Sequence, residues 1–143
     1  MYLYHATDKK NLGSIMESGL LTNPPRHNWE GMHCEGKVFL AFDANVAEDY
    51  AMSSENQPED VVILKIPLDT LIEDQIGYDW NNRCEYASDI NSCTYSLDIS
   101  PECLSIASEN EPVQTLEDFN GTGLYERVIR VFEEEVESNL EQN

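Results

Sequence analysis

The sequence predicts an α+β protein, in which short strands and a few helices are mixed. Short apolar runs of strand length recur along the chain and are separated by turn-forming residues. Two helical patterns lie in the first third of the chain, and an amphipathic helical pattern closes it. Strands and helices do not alternate regularly, which argues against a parallel sheet built from β–α–β units.

The first strand is predicted over residues 2–5 and is followed at once by a helix. Thr7 or Asp8 can cap that helix, because a side-chain oxygen accepts hydrogen bonds from the free amides at a helix start. Gly19 supplies the left-handed residue that ends it. The apolar residues predicted to share one face of this helix are Leu12, Ile15 and Met16.

A second strand is predicted over residues 38–42, and Asp43 then caps a second helix. One face of that helix is formed by Val46, Ala47, Tyr50 and Ala51. Residues 61–66 read as the clearest buried strand of the chain. Pro67 ends this strand and opens a short helical turn.

Short strands are predicted over residues 94–99 and 104–107, and an amphipathic helix over 124–140. The last helix forms an acidic C-terminal tail, whose run 133–135 should face water. We expect one domain over residues 1–143 with its core in 2–107. Two long segments, 21–36 and 77–92, read as loops, and loops of that length in compact domains are often functional.

The chain is strongly acidic, with 28 acidic against 8 basic residues and a formal charge of −20. Such a charge repels phosphate backbones and anionic membranes, which excludes direct nucleic-acid binding through a basic face. Small molecules, basic proteins and nucleic-acid-binding proteins remain as partners; adaptation to salt and simple solubility are alternative explanations of the charge. No apolar run reaches membrane-spanning length, and no export signal pattern opens the chain, so we expect a cytoplasmic protein.

The four cysteines show no C-x-x-C spacing, which indicates ordinary reduced thiols. His27, His33 and Cys34 could suggest a metal site. Neighbours on one loop rarely converge, however, and a fourth ligand is not evident. We therefore expect no metal, and no Cys–His nucleophile, because adjacent side chains in extended backbone point apart.

Several of these segments together resemble the ADP-ribosyltransferase superfamily, nearest to its poly(ADP-ribose) polymerase-like and RNA 2′-phosphotransferase-like branches. Residues 4–7 (Tyr-His-Ala-Thr), followed by a helix and Gly19-Leu20, resemble the family's histidine motif. Phe39 precedes Tyr50 by eleven positions, which is similar to the second motif. Residues 61–68 resemble the central strand and 97–104 the turn closing the third motif. The resemblance covers roughly residues 2–107.

The resemblance implies a split β-sheet core with flanking helices and NAD bound in the cleft between two small sheets. His5 would hydrogen-bond a ribose hydroxyl, the Ala6 backbone would hold the nicotinamide amide, and Tyr50 would stack on the nicotinamide ring. Thr7 and Phe39 complete the implied cofactor-binding residues. Cleavage at C1′ passes through an oxocarbenium-like state, so the site needs orientation and nearby negative charge more than a strong base.

The sequence departs from the family pattern at several positions. Ala6 replaces the usual glycine, Phe39 lacks a hydroxyl, and Ala47 stands where a serine is common. Alignment of the closing turn places Ser92, Cys93 or Thr94 where transferases usually carry their catalytic glutamate. Glu85 is our candidate for that role beside His5, and Asp89 is a second carboxylate in the same segment.

The function expected from these features is an NAD-binding protein that transfers ADP-ribose to a protein partner. The alternative is a non-catalytic acidic inhibitor, in which carboxylates imitate nucleic acid and occlude a basic groove, as in small phage-encoded antagonists. RNA 2′-phosphotransfer is a third hypothesis. Its phosphate-binding candidates would be Arg26, His27 and Arg83, against a net charge of −20.

Overall fold

The computed structural model describes residues 1–23, 36–52 and 57–141. Within these ranges, six strands form one antiparallel sheet and three α-helices surround it, which confirms the α+β class. The strands are β1 (Tyr2–Asp8), β2 (Val38–Ala41), β3 (Val61–Pro67), β4 (Ile76–Gly77), β5 (Ser92–Tyr95) and β6 (Ser105–Ile106). The helices are α1 (Leu12–Ser18), α2 (Ala44–Ala51) and α3 (Gly123–Glu141).

The sheet has the order β4-β5-β2-β1-β3-β6, and its two halves meet at the junction of β1 with β2. β1 pairs with β3 along its whole length, from Tyr2 opposite Pro67 to Asp8 opposite Val61. β2 pairs with β5 over all four of its residues. By contrast, β1 and β2 share the single pair Tyr4–Ala41. The strongly paired halves are therefore joined by little backbone contact.

Two apolar clusters cover the two faces of the sheet, as alternation along the strands requires. The larger one contains Leu3, Leu40, Leu64 and Ile66 and receives α3 through the side chains of Leu124, Val128, Val131 and Phe132. The smaller one contains Tyr4, Ala6 and Ala41 and receives α2 through Ala44 and Ala47. We call this second face the α2 side of the sheet.

The predicted Asp43 cap and the predicted Gly19 stop are confirmed, whereas the predicted cap of the first helix acts on a separate turn that precedes α1. Asp43 accepts a hydrogen bond from the Asn45 amide at the start of α2. Gly19 ends α1 with a φ of 87°. Asp8 caps the 3-10 turn Lys9–Asn11 through the Lys10 amide, and α1 starts one residue after that turn.

Three predicted strands differ from the structure by more than one residue or in their burial, two others are shorter by one residue at one or both ends, and β4 was not predicted. β1 continues past residue 5 to Asp8, because β3 offers a partner at each position. Only Leu64 and Ile66 of β3 are buried, so this strand alternates instead of being buried throughout. The strand predicted over residues 94–99 begins at Ser92 and ends at Tyr95, and Ile99 instead bridges Leu20.

The chain after residue 107 contributes more to the core than the sequence predicted. Leu116 and Phe119, in a 3-10 turn that we did not predict, are buried in the larger cluster. Phe119 contacts Phe42 with ring centroids 5.4 Å apart. The first half of α3 packs on the sheet, whereas residues 133–135 are exposed as predicted. Met16 of α1, predicted to be part of a packed face, is 40% exposed.

None of the helices within the described ranges is long and apolar enough to cross a membrane.

Candidate functional site

The candidate site is built at the junction of β1 and β2. His5 follows the single backbone pair, and its Nδ1 lies 2.7 Å from the carbonyl oxygen of Phe39. A carbonyl only accepts hydrogen bonds, so Nδ1 carries the proton and Nε2 is left as an acceptor in the neutral ring. Burial lowers the pKa of His5, while the bond to Phe39 acts in the opposite direction. The imidazole is therefore neutral at physiological pH.

The two neighbours of His5 in the predicted motif have different environments. Ala6 is buried on the α2 side, in the cluster that contains Ala44 and Ala47 of α2. The Thr7 side chain is also buried, and its hydroxyl accepts a hydrogen bond of 3.4 Å from Asn11. The methyl of Ala6 thus packs against α2, and Thr7 ties the end of β1 to the start of the first helix.

Phe39 lies on the same face of the sheet as Ala6. The pair Tyr4–Ala41 sets the register, and the residues two positions along each strand from it are Ala6 and Phe39. Phe39 is half-buried and lies opposite Thr94 of β5. The structure thus brings Ala6 and Phe39 to the α2 side. His5 is opposite Leu64 in the register and therefore lies on the other face, that of the larger cluster, from which it reaches the Phe39 carbonyl at the junction.

Tyr50 projects from α2 and is held at its hydroxyl. The phenol donates to Asn91 Oδ1 at 2.6 Å and accepts from Asn82 Nδ2 at 2.5 Å. Asn82 Nδ2 also lies 2.6 Å from Asn91 Oδ1. Two amide side chains therefore fix the oxygen end of a half-buried aromatic ring. Burial raises the pKa of the Tyr50 phenol, so it stays protonated.

A buried carboxylate extends this hydrogen-bond network. Asn82 Nδ2 lies 3.1 Å from Ser92 Oγ, and the Ser92 hydroxyl donates to Asp79 Oδ2 at 2.8 Å. Asp79 is 4% exposed, and its other oxygen accepts from the Asn81 amide. Burial raises the pKa of Asp79, although the hydrogen bonds from Ser92 and Asn81 act against it.

Asp79 and Asn82 are site residues that the sequence analysis missed. They lie within residues 77–92, which the sequence predicted as a loop, and the side chains singled out there were larger or aromatic. The available signal was Asp-Trp-Asn-Asn at 79–82, in which Asp79 caps a 3-10 turn by accepting from the Asn81 amide. That turn directs the Asn82 side chain toward Tyr50.

The predicted glutamate substitute lies elsewhere. Glu85 is exposed, as is Asp89, and neither is among the hydrogen-bond partners of the Tyr50 network. Of the three residues aligned with the family glutamate, Cys93 faces the larger apolar cluster, and Ser92 and Thr94 face the α2 side. The Ser92 hydroxyl is part of the hydrogen-bond network of Tyr50. The Thr94 hydroxyl is buried and has no hydrogen-bond partner within the described part of the chain.

The remaining candidate residues from the sequence either lie outside this hydrogen-bond network or lie outside the described ranges. Trp80 packs at the rim of the larger cluster, edge-on to Tyr78 at 5.0 Å, with the Arg83 guanidinium over its ring at 5.3 Å. This favours a core-rim role for Trp80. The following residues lie outside the described ranges: Arg26, His27, Trp29, His33 and Cys34.

Within residues 1–23, 36–52 and 57–141, no three His, Cys, Asp or Glu side chains are arranged to hold a metal ion. Cys84, Cys93 and Cys103 are free thiols. Neither a model of a known protein family nor a curated protein sequence matches this chain. Its function therefore has to be inferred from the geometry of the site.

Proposed function

We propose that this chain binds NAD at the β1–β2 junction and transfers ADP-ribose to a protein partner, with an ADP-ribosyltransferase-like split sheet as its scaffold. The observation that carries the proposal is the 2.7 Å hydrogen bond from His5 Nδ1 to the Phe39 carbonyl. It joins the two motifs that were identified separately in sequence. Their contact is made where the sheet has its weakest backbone pairing.

The imidazole is suited to bind a hydroxyl. With Nδ1 donating to Phe39, Nε2 is an acceptor of fixed orientation, and the lowered pKa keeps it unprotonated. A ribose hydroxyl can donate to such a nitrogen. This supports the role that the resemblance implies for His5.

Tyr50 is suited to stack on a flat ring. Its hydroxyl is fixed by Asn82 and Asn91, so little rotamer freedom remains to be lost when a ligand binds. Ala6 and Phe39 face the same side of the sheet as α2. A nicotinamide ring held there would lie between a tyrosine and the strand that carries Ala6.

The proposed chemistry is a substitution at C1′ of the nicotinamide ribose. The C1′–N bond breaks, its electron pair goes to the ring nitrogen, and neutral nicotinamide leaves. A nucleophilic side chain of the partner then donates a pair to C1′ and loses its proton to solvent or to a nearby base. The chain's contribution is orientation of the reacting ribose and negative charge near it. Glu85 is exposed and lies outside the Tyr50 network, whereas Asp79 is connected to Tyr50 through Ser92 and Asn82, so we assign this charge to Asp79.

The test is a calorimetric titration of NAD into the wild type, His5→Asn and His5→Ala. An asparagine amide can replace Nδ1–H as a donor to Phe39 but offers no equivalent of Nε2. His5→Asn should keep the wild-type melting temperature and bind NAD about tenfold more weakly, the effect of one lost hydrogen bond of about 1.4 kcal/mol. His5→Ala should lose stability as well. An intact protein that does not bind NAD would eliminate the proposal.

Transfer itself is tested by incubation with NAD and a cell lysate, followed by mass spectrometry for ADP-ribose adducts on proteins. Adducts are expected with the wild type and reduced with His5→Asn. If NAD binds but no adducts form in any lysate, the proposed NAD binding would stand and the proposed transferase activity would be wrong.

A second function is favoured by the charge distribution. Among the described residues, ion pairs are formed by Lys10 with Asp8 and by Lys65 with Glu111. Arg127 instead donates to the backbone carbonyls of Ile76 and Asp74. Most of the acidic side chains in the described ranges therefore have no ion-pair partner there, as a nucleic-acid mimic requires. Partner binding that falls steeply with salt and is unchanged in His5→Asn would support this inhibitor role.

A further inference from the structure

We infer that Asp79 makes the ring site beside Tyr50 selective for a planar aromatic cation over the corresponding neutral ring. The inference rests on the proposed function in identifying oxidised nicotinamide as the natural ligand of this site. It adds a specificity-determining residue that the sequence did not suggest.

Within the described part of the chain, the buried Asp79 carboxylate has no directly paired cation. The carboxylate is 4% exposed, and its hydrogen bonds come from neutral groups, the Ser92 hydroxyl and the backbone amides of Asn81 and Asn82. It forms no ion pair within the described ranges, and the cation that acts on its pKa there is Lys37, whose charge lowers it after the larger effects of burial and hydrogen bonding. A buried negative charge with only neutral donors projects its field into the surrounding site.

That field reaches Tyr50. Burial raises the pKa of the Tyr50 phenol, and the negative charge of Asp79 raises it further. After burial, the same charge raises the pKa of Cys93, and it adds to burial and the charge of Asp89 in raising the pKa of Cys84. Asp79 therefore disfavours an added negative charge at Tyr50, and by the same electrostatics it favours a positive one.

Tyr50 adds an attraction of the same sign. The face of an aromatic ring attracts a cation, and its hydroxyl is fixed by Asn82 and Asn91 so that the ring keeps one orientation. The pyridinium of oxidised nicotinamide is planar and cationic, whereas its reduced form and free nicotinamide are neutral. A site with Tyr50 and Asp79 should therefore bind the cationic oxidised nicotinamide more tightly than either neutral ring. Release is also favoured, because the leaving nicotinamide is neutral.

The experiment compares two matched ligand pairs by calorimetry at pH 7.5: oxidised against reduced NAD, and 1-methylnicotinamide against nicotinamide. The proteins are the wild type, Asp79→Asn and Asp74→Asn. Asp74 is exposed, so its variant removes the same charge from a solvent-screened position. We expect about a tenfold preference for the cation in the wild type and in Asp74→Asn, and about twofold or less in Asp79→Asn.

A second measurement covers the case in which Asp79→Asn does not fold. The cation preference is measured between pH 7.5 and 4.5 in the wild type and in His5→Asn. Besides Asp79 and Tyr50, the titratable groups that act on these two residues or on the neighbouring thiols are Lys37, Cys84, Cys93 and the exposed Asp89. Since Asp79 is the buried carboxyl among them, the preference for the cation should decrease in both proteins as the pH is lowered. A preference that is constant with pH in His5→Asn would overturn the inference.

The outcomes separate this inference from the proposed function. NAD binding with an unchanged cation preference in Asp79→Asn overturns the inference and leaves the proposed function standing. Binding of 1-methylnicotinamide with an Asp79-dependent preference, but no NAD binding, overturns the proposed function and supports the inference. If neither ligand pair binds, both are wrong.

Discussion

The imidazole Nδ1 of His5 lies 2.7 Å from the carbonyl oxygen of Phe39, so that a side chain completes a strand junction at which backbone pairing is limited to one position. This bond has two consequences. It fixes the tautomer of the ring, and it ties the stability of the β1–β2 junction to the protonation state of His5. The same interaction can therefore be followed by ligand binding and by the free energy of unfolding.

The first prediction concerns pH and His5. Burial lowers the pKa of His5 in the folded chain, whereas the unfolded chain should titrate near 6.5. Below about pH 6.5 the unfolded chain is protonated at His5 more readily than the folded chain. The His5 contribution to stability is therefore present above about pH 6.5 and is lost as the pH falls below that value. Urea midpoints of the wild type and His5→Asn between pH 8 and 5 measure this. Curves that run parallel would contradict it.

The second prediction concerns two glycines of the same N-terminal region. Gly19 has a φ of 87°, and a Cβ there would collide with the carbonyl oxygen of Ile99, which accepts from Leu20. Gly19→Ala should destabilise by more than about 2 kcal/mol. Gly13 lies within α1 with open space around it, so Gly13→Ala should stabilise by about 0.5–1 kcal/mol. Chemical denaturation of both variants checks the contrast, and equal effects would contradict it.

The third prediction concerns Glu111, which accepts hydrogen bonds from the Tyr4 hydroxyl and from the amide and hydroxyl of Ser108. The Ser108 hydrogen bonds are the main cause that lowers the pKa of Glu111 to about 2. Its stabilisation is then full above the unfolded value near 4.3 and is lost as pH falls through about 2. Glu111→Gln should cost about 2 kcal/mol at pH 7. That cost should shrink below pH 4; a cost independent of pH would refute the assignment.

The sequence was informative where structure is local. The Asp43 cap, the Gly19 stop and the face of α2 that carries Ala47 and Tyr50 follow from spacing and short-range hydrogen bonding, and all three are present. Phe39 and His5 could be identified as candidates because each lies in a recognisable strand pattern. The hydrogen bond between His5 and Phe39 could not be predicted, because it depends on two strands becoming neighbours although these residues are 34 positions apart in the chain.

The residues that were missed share a physical reason. Asp79 meets Ser92 across 13 positions of irregular chain, and no periodicity predicts such a contact. β4 has two residues and β5 has four, too few to set a pattern, so the start of β5 was misplaced by two positions. The register of β5 on β2, which directs Ser92 and Thr94 to the α2 side, is decided by tertiary pairing.

The fourth prediction concerns the Thr94 hydroxyl. Within the described ranges it is buried without a hydrogen-bond partner, and the residue opposite it in β4 is Gly77. Valine has nearly the same shape and carries no polar group, so Thr94→Val should raise stability by about 1 kcal/mol. Thr94→Ser, which keeps the hydroxyl and removes a methyl, is the control and should lower stability. A destabilised valine variant would show that the hydroxyl does have a partner.

The final prediction concerns the cost of keeping Asp79 ionised. Burial raises the pKa of Asp79 in the folded chain above the unfolded value near 3.9. The Asp79 contribution to stability is then greatest below about pH 3.9 and is lost as pH rises through the folded pKa. Relative to the wild type, Asp79→Asn should therefore gain stability between pH 3.5 and 8, as followed by urea midpoints. The same variant should also lose its preference for the cation. Together these two results would show that Asp79 lowers the stability of the fold and serves ligand binding, which is typical of functional sites. A variant that becomes less stable relative to the wild type as pH rises would instead show that the ionised carboxylate is there to hold the fold.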